Sequence, residues 1–316
     1  LDVYPRDELF QASVPDLVRI IRGIVNLYER AEVRLFLRRD AFRRFFTLLL
    51  YVPRDRYNTQ VRQRIERIAT EALGGLAIES QVQLSQSVLV RLYMLVRTDP
   101  DAEIEADAAS LEGRIEEAVR TWADRLQQAL EATLPLDEAA SRFRRWGGAF
   151  PTAYHEDVDP AAAVDDLARL EELASHPDRL VVGLGRRPGD AEHRLQFKIY
   201  RRDRPIPISD VLPTIENLGL KLISERPYEI SPATGTWWIQ DFELEHPRGV
   251  RIDLPTDGPR LVETFDAVWH GQADNDGFNR LVLAADLDWR AVAVLRTYAR
   301  WFVQLGLPLS QSYMEE

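Results

Sequence analysis

The 316 residues include no cysteine, which removes disulfides, thiolate metal sites and cysteine nucleophiles together. No apolar run approaches the roughly 18 residues of a membrane-spanning helix; the longest is the short, strand-like stretch 45–52. The five histidines (155, 176, 193, 246, 270) are scattered without an HxxxH or HxxE pair, so they offer no metal-ligand spacing. A dinucleotide fingerprint is lacking too. Segment 181–189, VVGLGRRPG, places glycines after a strand, but a second strand at 195–200 follows where the phosphates need a helix N-terminus. A flexible turn is the reading it supports. In Asp274-Asn275-Asp276-Gly277, taking Gly277 as the sixth residue of a calcium loop puts Leu283 where the bidentate glutamate belongs. Turn and capping chemistry is expected there instead. Acids are plentiful, but nothing singles out two of them as a glycosidase-type pair. With no initiating methionine and no signal-peptide pattern, the chain reads as a piece of a longer, cytoplasmic polypeptide.

What is present is a globular composition, 45% hydrophobic and 29% charged, long enough for two or three domains with cores of their own. The net charge of −11 argues against general nucleic-acid binding, but its distribution is uneven. Residues 99–175 hold 19 acids against seven arginines and no lysine, a local −12. Residues 33–75 are strongly basic, with ten arginines (34, 38, 39, 43, 44, 54, 56, 62, 64, 67). The two stretches could face each other in an assembly; solvated helix faces are the plainer expectation.

Hydrophobic periodicity gives the element order. A helix is expected over 14–29, with Leu17, Ile20, Ile21, Ile24 and Leu27 as its stripe. Two strands, 33–37 and 45–52, flank a polar turn at 38–44. An amphipathic helix follows with Val61, Ile65, Ile68, Ala72 and Leu73 on one face and Gly74 as its stop. Strands 76–84 and 88–96 surround Ser85-Gln86-Ser87, with the alternation of a half-buried antiparallel sheet. One long helix from Ala108 carries Leu111, Ile115, Val119, Trp122, Leu126 and Leu130, stepping by 4, 4, 3, 4 and 4. The order β-β-α-β-β-α is a cyclic shift of the ferredoxin-like order. The expected class is therefore α+β, with two ferredoxin-like antiparallel sheet domains, helices on one face, joined and followed by helical segments.

A helical connector over 134–175 is broken at Pro135, Gly147-Gly148 and Pro151, and closes with the stripe Val164, Leu167, Leu170 and Leu173. His176-Pro177 marks a boundary. In the second domain, strands are expected at 180–184, 195–200, 220–228 and 236–245, in an order different from the first. Ser209 or Asp210 is placed to cap a helix running through Leu218, and Gly219 ends it. Helices at 262–269 and 291–305 complete the chain. The domains read as 1–30 (helical), 31–133 (α+β), 134–178 (connector), 179–258 (α+β) and 259–316 (helical).

The arginine-rich β-β-α unit with its loop YVPRDRYNT (51–59) resembles the N-terminal regulatory region of the large bacterial NAD-specific glutamate dehydrogenases. Residues 205–245, with LGLKLIS at 218–224, resemble the core of an ACT domain, the module that senses amino acids in many metabolic enzymes. WHGQADNDGFNRLVLAADLDWRAVAVLRTYARW (269–301) resembles the helical region preceding the catalytic domain of those dehydrogenases. The resemblance implies a parent that oxidatively deaminates L-glutamate to 2-oxoglutarate with NAD, working as a cytoplasmic homo-oligomer, a tetramer. From the residues themselves no catalytic residue, cofactor or metal is expected in this piece, and no nucleic acid or membrane as partner; the resemblance implies as partners the other domains and subunits of the enzyme and an amino-acid effector. It also places the effector at the strand-to-helix loop 203–210. Arg204 would pair with a carboxylate, Asp210 with an ammonium group, and Ser209 would add a hydroxyl. The loop departs from the ACT pattern in having two prolines where a glycine is common, so a stiff loop with a helix cap is the competing reading. A second class of function, RNA or protein binding on a ferredoxin-like sheet, is raised by Phe45, Phe46, Tyr51 and Tyr57 among the arginines. Against it, no glycine-containing basic strand with exposed aromatics is present, and Phe45 and Phe46 point to opposite faces.

Overall fold

The computed structural model describes residues 10–27, 31–83, 87–176, 180–308 and 310–315. It divides into two compact units, Leu1–Thr121 and Trp122–Glu316. The expected turn at Ser85-Gln86, the end of the first helix at 28–29 and Pro177 of the expected boundary lie outside the described residues.

The first unit opens with α1 (Val14–Asn26), whose first turn is capped by the Ser13 hydroxyl accepting from the Asp16 amide. Strands β1 (Arg34–Arg39) and β2 (Phe45–Pro53) lead through a short 3-10 turn to α2 (Thr59–Ala72), capped by Asn58. Gly74, at φ 58°, turns the chain out of α2 as its position predicts. Strands β3 (Ala77–Gln83) and β4 (Leu89–Arg97) precede α3 (Ala108–Val119). The antiparallel sheet runs β1-β2-β4-β3, which is what the cyclic shift of the ferredoxin-like order requires. Phe46, Leu48 and Leu50 stand opposite Val96, Met94 and Leu92, and this face packs on Ile65 and Ala69 of α2 and on Leu111 and Ile115 of α3. The other face is also covered. Ile20 and Leu27, from α1 and its C-cap, pack there with Phe36, Leu49 and Tyr51. A strand buried on both sides has no solvent face, and so β2 reads FFTLLLYV with little alternation. Gly23 lets α1 come this close: a Cβ there would stand 2.4 Å from Phe36 Cε1.

The single helix expected from Ala108 to Leu130 is two. Arg120 leaves helical geometry (ψ 132°), and α4 (Trp122–Thr133) begins anew. Leu111, Ile115 and Val119 fill the core of the first unit, whereas Leu126 and Leu130 fill that of the second. No glycine or proline marks the break, so an unbroken 3–4 spacing ran across it unseen.

In the second unit, α4 is followed by α5 (Leu136–Trp146), α6 (Thr152–Asp157) and α7 (Pro160–Ser175). The sheet is built from β5 (Val181–Gly185), β6 (Arg194–Arg202), β7 (Lys221–Ile230) and β8 (Trp237–Glu245), with α8 (Ile208–Asn217) between β6 and β7. Its order, β5-β6-β8-β7, repeats that of the first sheet and corrects the expectation of a different one. Pro227 is tolerated because β7 is an edge strand. One face, with Phe197, Phe242 and Leu244, packs on Val211 and Ile215 of α8 and on Leu261 and Phe265 of α9 (Leu254–Trp269). Short turns including α10 (Leu281–Ala284) lead to α11 (Trp289–Gln304) and α12 (Gln311–Glu315). The opposite face, with Tyr200, Tyr228, Trp237 and Ile239, is covered by Trp146, Tyr154, Leu167 and Leu170. The helical connector thus covers one face of this unit's sheet.

Candidate functional site

The loop between β6 and α8 is rigidly held. Asp203 adopts φ 70° and donates its amide to the Thr236 carbonyl at 2.8 Å. The buried side chain of Gln240 clamps Ile206 from both sides. Its Oε1 accepts from the Ile206 amide at 2.6 Å, and its Nε2 donates to the Ile206 carbonyl at 2.9 Å and to Glu225 Oε1 at 3.0 Å. A buried primary amide whose acceptor and donors are matched in this way fixes the backbone without an orphaned polar group.

Arg204, Ser209 and Asp210 are all exposed on this loop. Ser209 Oγ donates to Asp210 Oδ1 at 3.2 Å, and among the described residues Arg204 makes no side-chain hydrogen bond or ion pair to either. Helix α8 starts at Ile208 behind Pro207, so neither Ser209 nor Asp210 is the cap; both sit in the first turn. Pro213 consequently lies inside the helix, and having no N–H it cannot donate to the Ser209 carbonyl. Asp210 still places its negative charge at the positive end of the helix dipole.

A second constellation escaped the sequence pattern. On the connector side of the second sheet, the buried carboxylate of Asp166 (α7) accepts from Tyr154 Oη at 2.5 Å, Tyr200 Oη at 2.6 Å and Lys198 Nζ at 2.7 Å. Burial, and then the charge of Asp166, push both tyrosine hydroxyls well above their ordinary range, which keeps them protonated as donors. Asp241, on β8, is 2% exposed. Its Oδ2 accepts from Gln196 Nε2 at 2.8 Å and Arg187 Nη2 at 3.2 Å, while Oδ1 has no partner. Burial pushes the Asp241 carboxyl up, and Lys198 and Arg187 draw it partly back. Toward the rim, Arg194 pairs with Glu243 at 3.3 Å and Arg226 with Asp157 at 2.6 Å. The arrangement ties α6 and α7 to the sheet by charge-assisted hydrogen bonds. Among the described residues no cluster suited to a metal ion occurs. One sequence signal was there: Asp166 stands on the apolar stripe of α7, between Ala163 and Leu170. Lys198 and Asp241 were hidden because alternation on a one-faced sheet assigns them to solvent.

Other motifs resolve into architecture. Segment 181–189 runs from β5 into a turn toward β6, with no helix between. Arg186 holds the carbonyls of Glu192, Arg194 and Ile252 within 2.9 Å. Asp276 caps the turn at Gly277 and binds the 3%-exposed Arg296 at 2.7 Å, while Asp274 pairs with Arg300 at 2.8 Å. In the first unit, Arg34 pairs with Glu112, Arg44 with Asp40 and Arg62 with Glu66. Arg39 donates to the carbonyls of Ala102 and Ile104, and Arg64 to that of Ala118. Phe46 and Tyr51 are buried, on opposite faces of the sheet. Neither offers a stacking platform to a nucleobase.

Comparison with known proteins fits this order of parts. Successive stretches match "Glutamate dehydrogenase, helical motif 1" (1–30), "ACT2 domain" (34–123), "helical motif 2" (129–173), "ACT3 domain" (179–256) and "helical motif 3" (273–316). Proteins named NAD-specific glutamate dehydrogenase are similar throughout. That of Halomonas elongata is 39% identical over 314 residues and that of Pseudomonas aeruginosa 38% over 315, each alignment covering 99% of this chain. The Mycobacterium tuberculosis protein is 33% identical over 333 residues, covering 100%. The chain spans 19%, 19% and 20% of the lengths of these relatives.

Proposed function

The chain belongs to the large NAD-specific glutamate dehydrogenases, whose ACT2, ACT3 and helical-motif parts follow one another along it, and from this we propose that it is their N-terminal regulatory and assembly region. The parent oxidises L-glutamate with NAD and water to 2-oxoglutarate, ammonia and NADH, as a cytoplasmic homo-tetramer. This region performs no turnover; it binds an amino-acid effector and contacts the other domains and subunits. The observation that carries the reading is the loop at 203–210, held stiff by Gln240 while Arg204, Ser209 and Asp210 stay exposed. Such a loop presents a guanidinium, a hydroxyl and a carboxylate at little further ordering cost.

Calorimetry of the chain against the amino acids tests it. One of them should bind, and Arg204→Ala should weaken that binding by about 1.5–3 kcal/mol, roughly tenfold to a hundredfold, through loss of a charge-assisted hydrogen bond. Folding stability should be unchanged. Equal affinity in both proteins makes the loop scaffold, and NADH formed from L-glutamate and NAD by this chain alone would overturn the division of labour.

A further inference from the structure

The loop at 203–210 is pinned on either side of Trp238. The Asp203 amide reaches the Thr236 carbonyl, two residues before it, and the Gln240 side chain, two residues after it, holds Ile206. Alternation puts Trp238, Gln240 and Phe242 on one face of the sheet, the face that carries α8. Between the two anchors the Trp238 Nε1–H is buried and donates to nothing. An indole nitrogen is a donor only, so what it lacks is an oxygen. A buried donor without an acceptor is rare in folded proteins and calls for a cause. Arg201 on β6 and Glu229 on β7 stand opposite Trp238 in register, one on each side, and paired residues share a face. Arg201 is half-buried and Glu229 exposed, and among the described residues neither makes a hydrogen bond or an ion pair. By contrast Arg187, Arg194, Lys198, Lys221 and Arg226 each pair with a carboxylate. One row across three strands, spaced by roughly 4.8 Å, thus reads cation, N–H donor, anion.

We propose that this row seats the two charged groups of an α-amino acid, its carboxylate on Arg201 and Trp238 Nε1 and its ammonium group on Glu229. The proposal rests on the reading above and adds the sheet beside the loop to the groups on the loop. A carboxylate has about four lone-pair sites, room enough for Arg204 as well as Arg201 and the indole. Arginine and glutamate are long and flexible enough to converge over the tryptophan between them. Binding gives the orphaned N–H a charged acceptor, a stronger partner than a neutral carbonyl, so the acid is preferred to its α-amide.

Calorimetry of the chain against each of the common amino acids, and against the α-amide of any that binds, tests it. Trp238→Phe keeps an aromatic ring and removes the N–H, and should weaken binding about twofold to tenfold. Arg201→Ala should weaken it about tenfold to a hundredfold and shrink the preference for the acid over its α-amide by a similar factor. Nuclear magnetic resonance gives a readout on the unsubstituted chain. The indole N–H signal that is missing from Trp238→Phe should move to lower field as the amino acid saturates the chain. An amino acid that binds and is weakened by Arg204→Ala, but by neither Trp238→Phe nor Arg201→Ala, leaves the loop reading standing and overturns the row. An indole signal that stays in place at saturation overturns it too. Weakening by Arg201→Ala and Trp238→Phe without any by Arg204→Ala upholds the row and removes the loop. If no amino acid binds, the effector reading itself fails and the row falls with it.

Discussion

In the first unit β2 is apolar on both faces. In the second unit charge points inward: Lys198 on β6 and Asp241 on β8 face the helical connector, where Asp166 binds Lys198. Both sheets have the same strand order and the same succession of elements. What differs is how the second face is closed. Helix α1 lays a hydrophobic stripe on sheet one, whereas α6 and α7 are tied to sheet two partly by hydrogen-bonded charge. Apolar contact tolerates sliding; a carboxylate held by two phenols and an ammonium group accepts one position only. We take the second closure to fix register more than to add stability, since buried ion pairs are seldom more stable than apolar packing.

The most forceful way to break this contrast is to remove the buried charge from the second closure and set the loss beside that of a conservative change in the apolar core of the first unit. Asp166→Ala strands Lys198 and two phenols and should destabilise the second unit by about 3–5 kcal/mol. Met94→Leu, a volume-conserving change in the first core, should cost less than about 1.5 kcal/mol. Hydrogen exchange followed unit by unit reads both, because one melting curve for a two-unit chain is not a two-state quantity. A loss for Asp166→Ala no larger than for Met94→Leu would show that the network is solvated and carries no such role.

Next in size is the loop clamp. The corresponding loop of the first unit enters α2 through a 3-10 turn and an Asn58 cap; that of the second relies on Gln240. Gln240→Leu leaves the amide and carbonyl of Ile206 unpaired in the interior, a loss of about 1–3 kcal/mol. The loop at 203–210 should loosen with it, raising exchange at 203–208. Asn58→Ala, which removes only a cap, should cost about 1 kcal/mol. Unchanged exchange at 203–208 in Gln240→Leu would mean that the prolines alone hold the loop.

Much of this contrast was legible and part was not, for physical reasons. Apolar β-type runs, alternation in β3 and β4, and the glycine stops at Gly74 and Gly219 located the strands and the helices between them. The break at Arg120-Thr121 was invisible because the apolar spacing continues through it while changing cores. The charged face was invisible for a related reason: Gln196, Lys198 and Asp241 alternate with Phe197, Ile199 and Phe242 as solvent-facing residues do. Only knowledge of a second layer over the sheet converts them into buried partners. The Arg204, Ser209 and Asp210 positions came from family resemblance; Gln240, some thirty residues further along, had no local signal at all.

The smallest expected effect is a difference in the sign of pH dependence. In the first unit Arg44 holds the Asp40 carboxyl below its ordinary range, chiefly through their hydrogen bond. Its folded form binds fewer protons than its unfolded form, so its stabilisation is present above the ordinary carboxylate range and is lost as pH falls through it. In the second unit burial raises the Asp241 carboxyl, so the folded form binds more protons. That contribution is fully present below the unfolded carboxylate value near 3.8 and is lost as pH rises through the folded one. Asp40→Asn and Asp241→Asn, each compared with the unsubstituted chain by hydrogen exchange followed unit by unit from pH 3 to 7, should therefore change stability with opposite slopes. Asp241→Asn should gain on the unsubstituted chain as pH rises, and Asp40→Asn should lose. Parallel slopes would mean that water reaches the free Oδ1 of Asp241 and that its carboxyl titrates as an ordinary surface group.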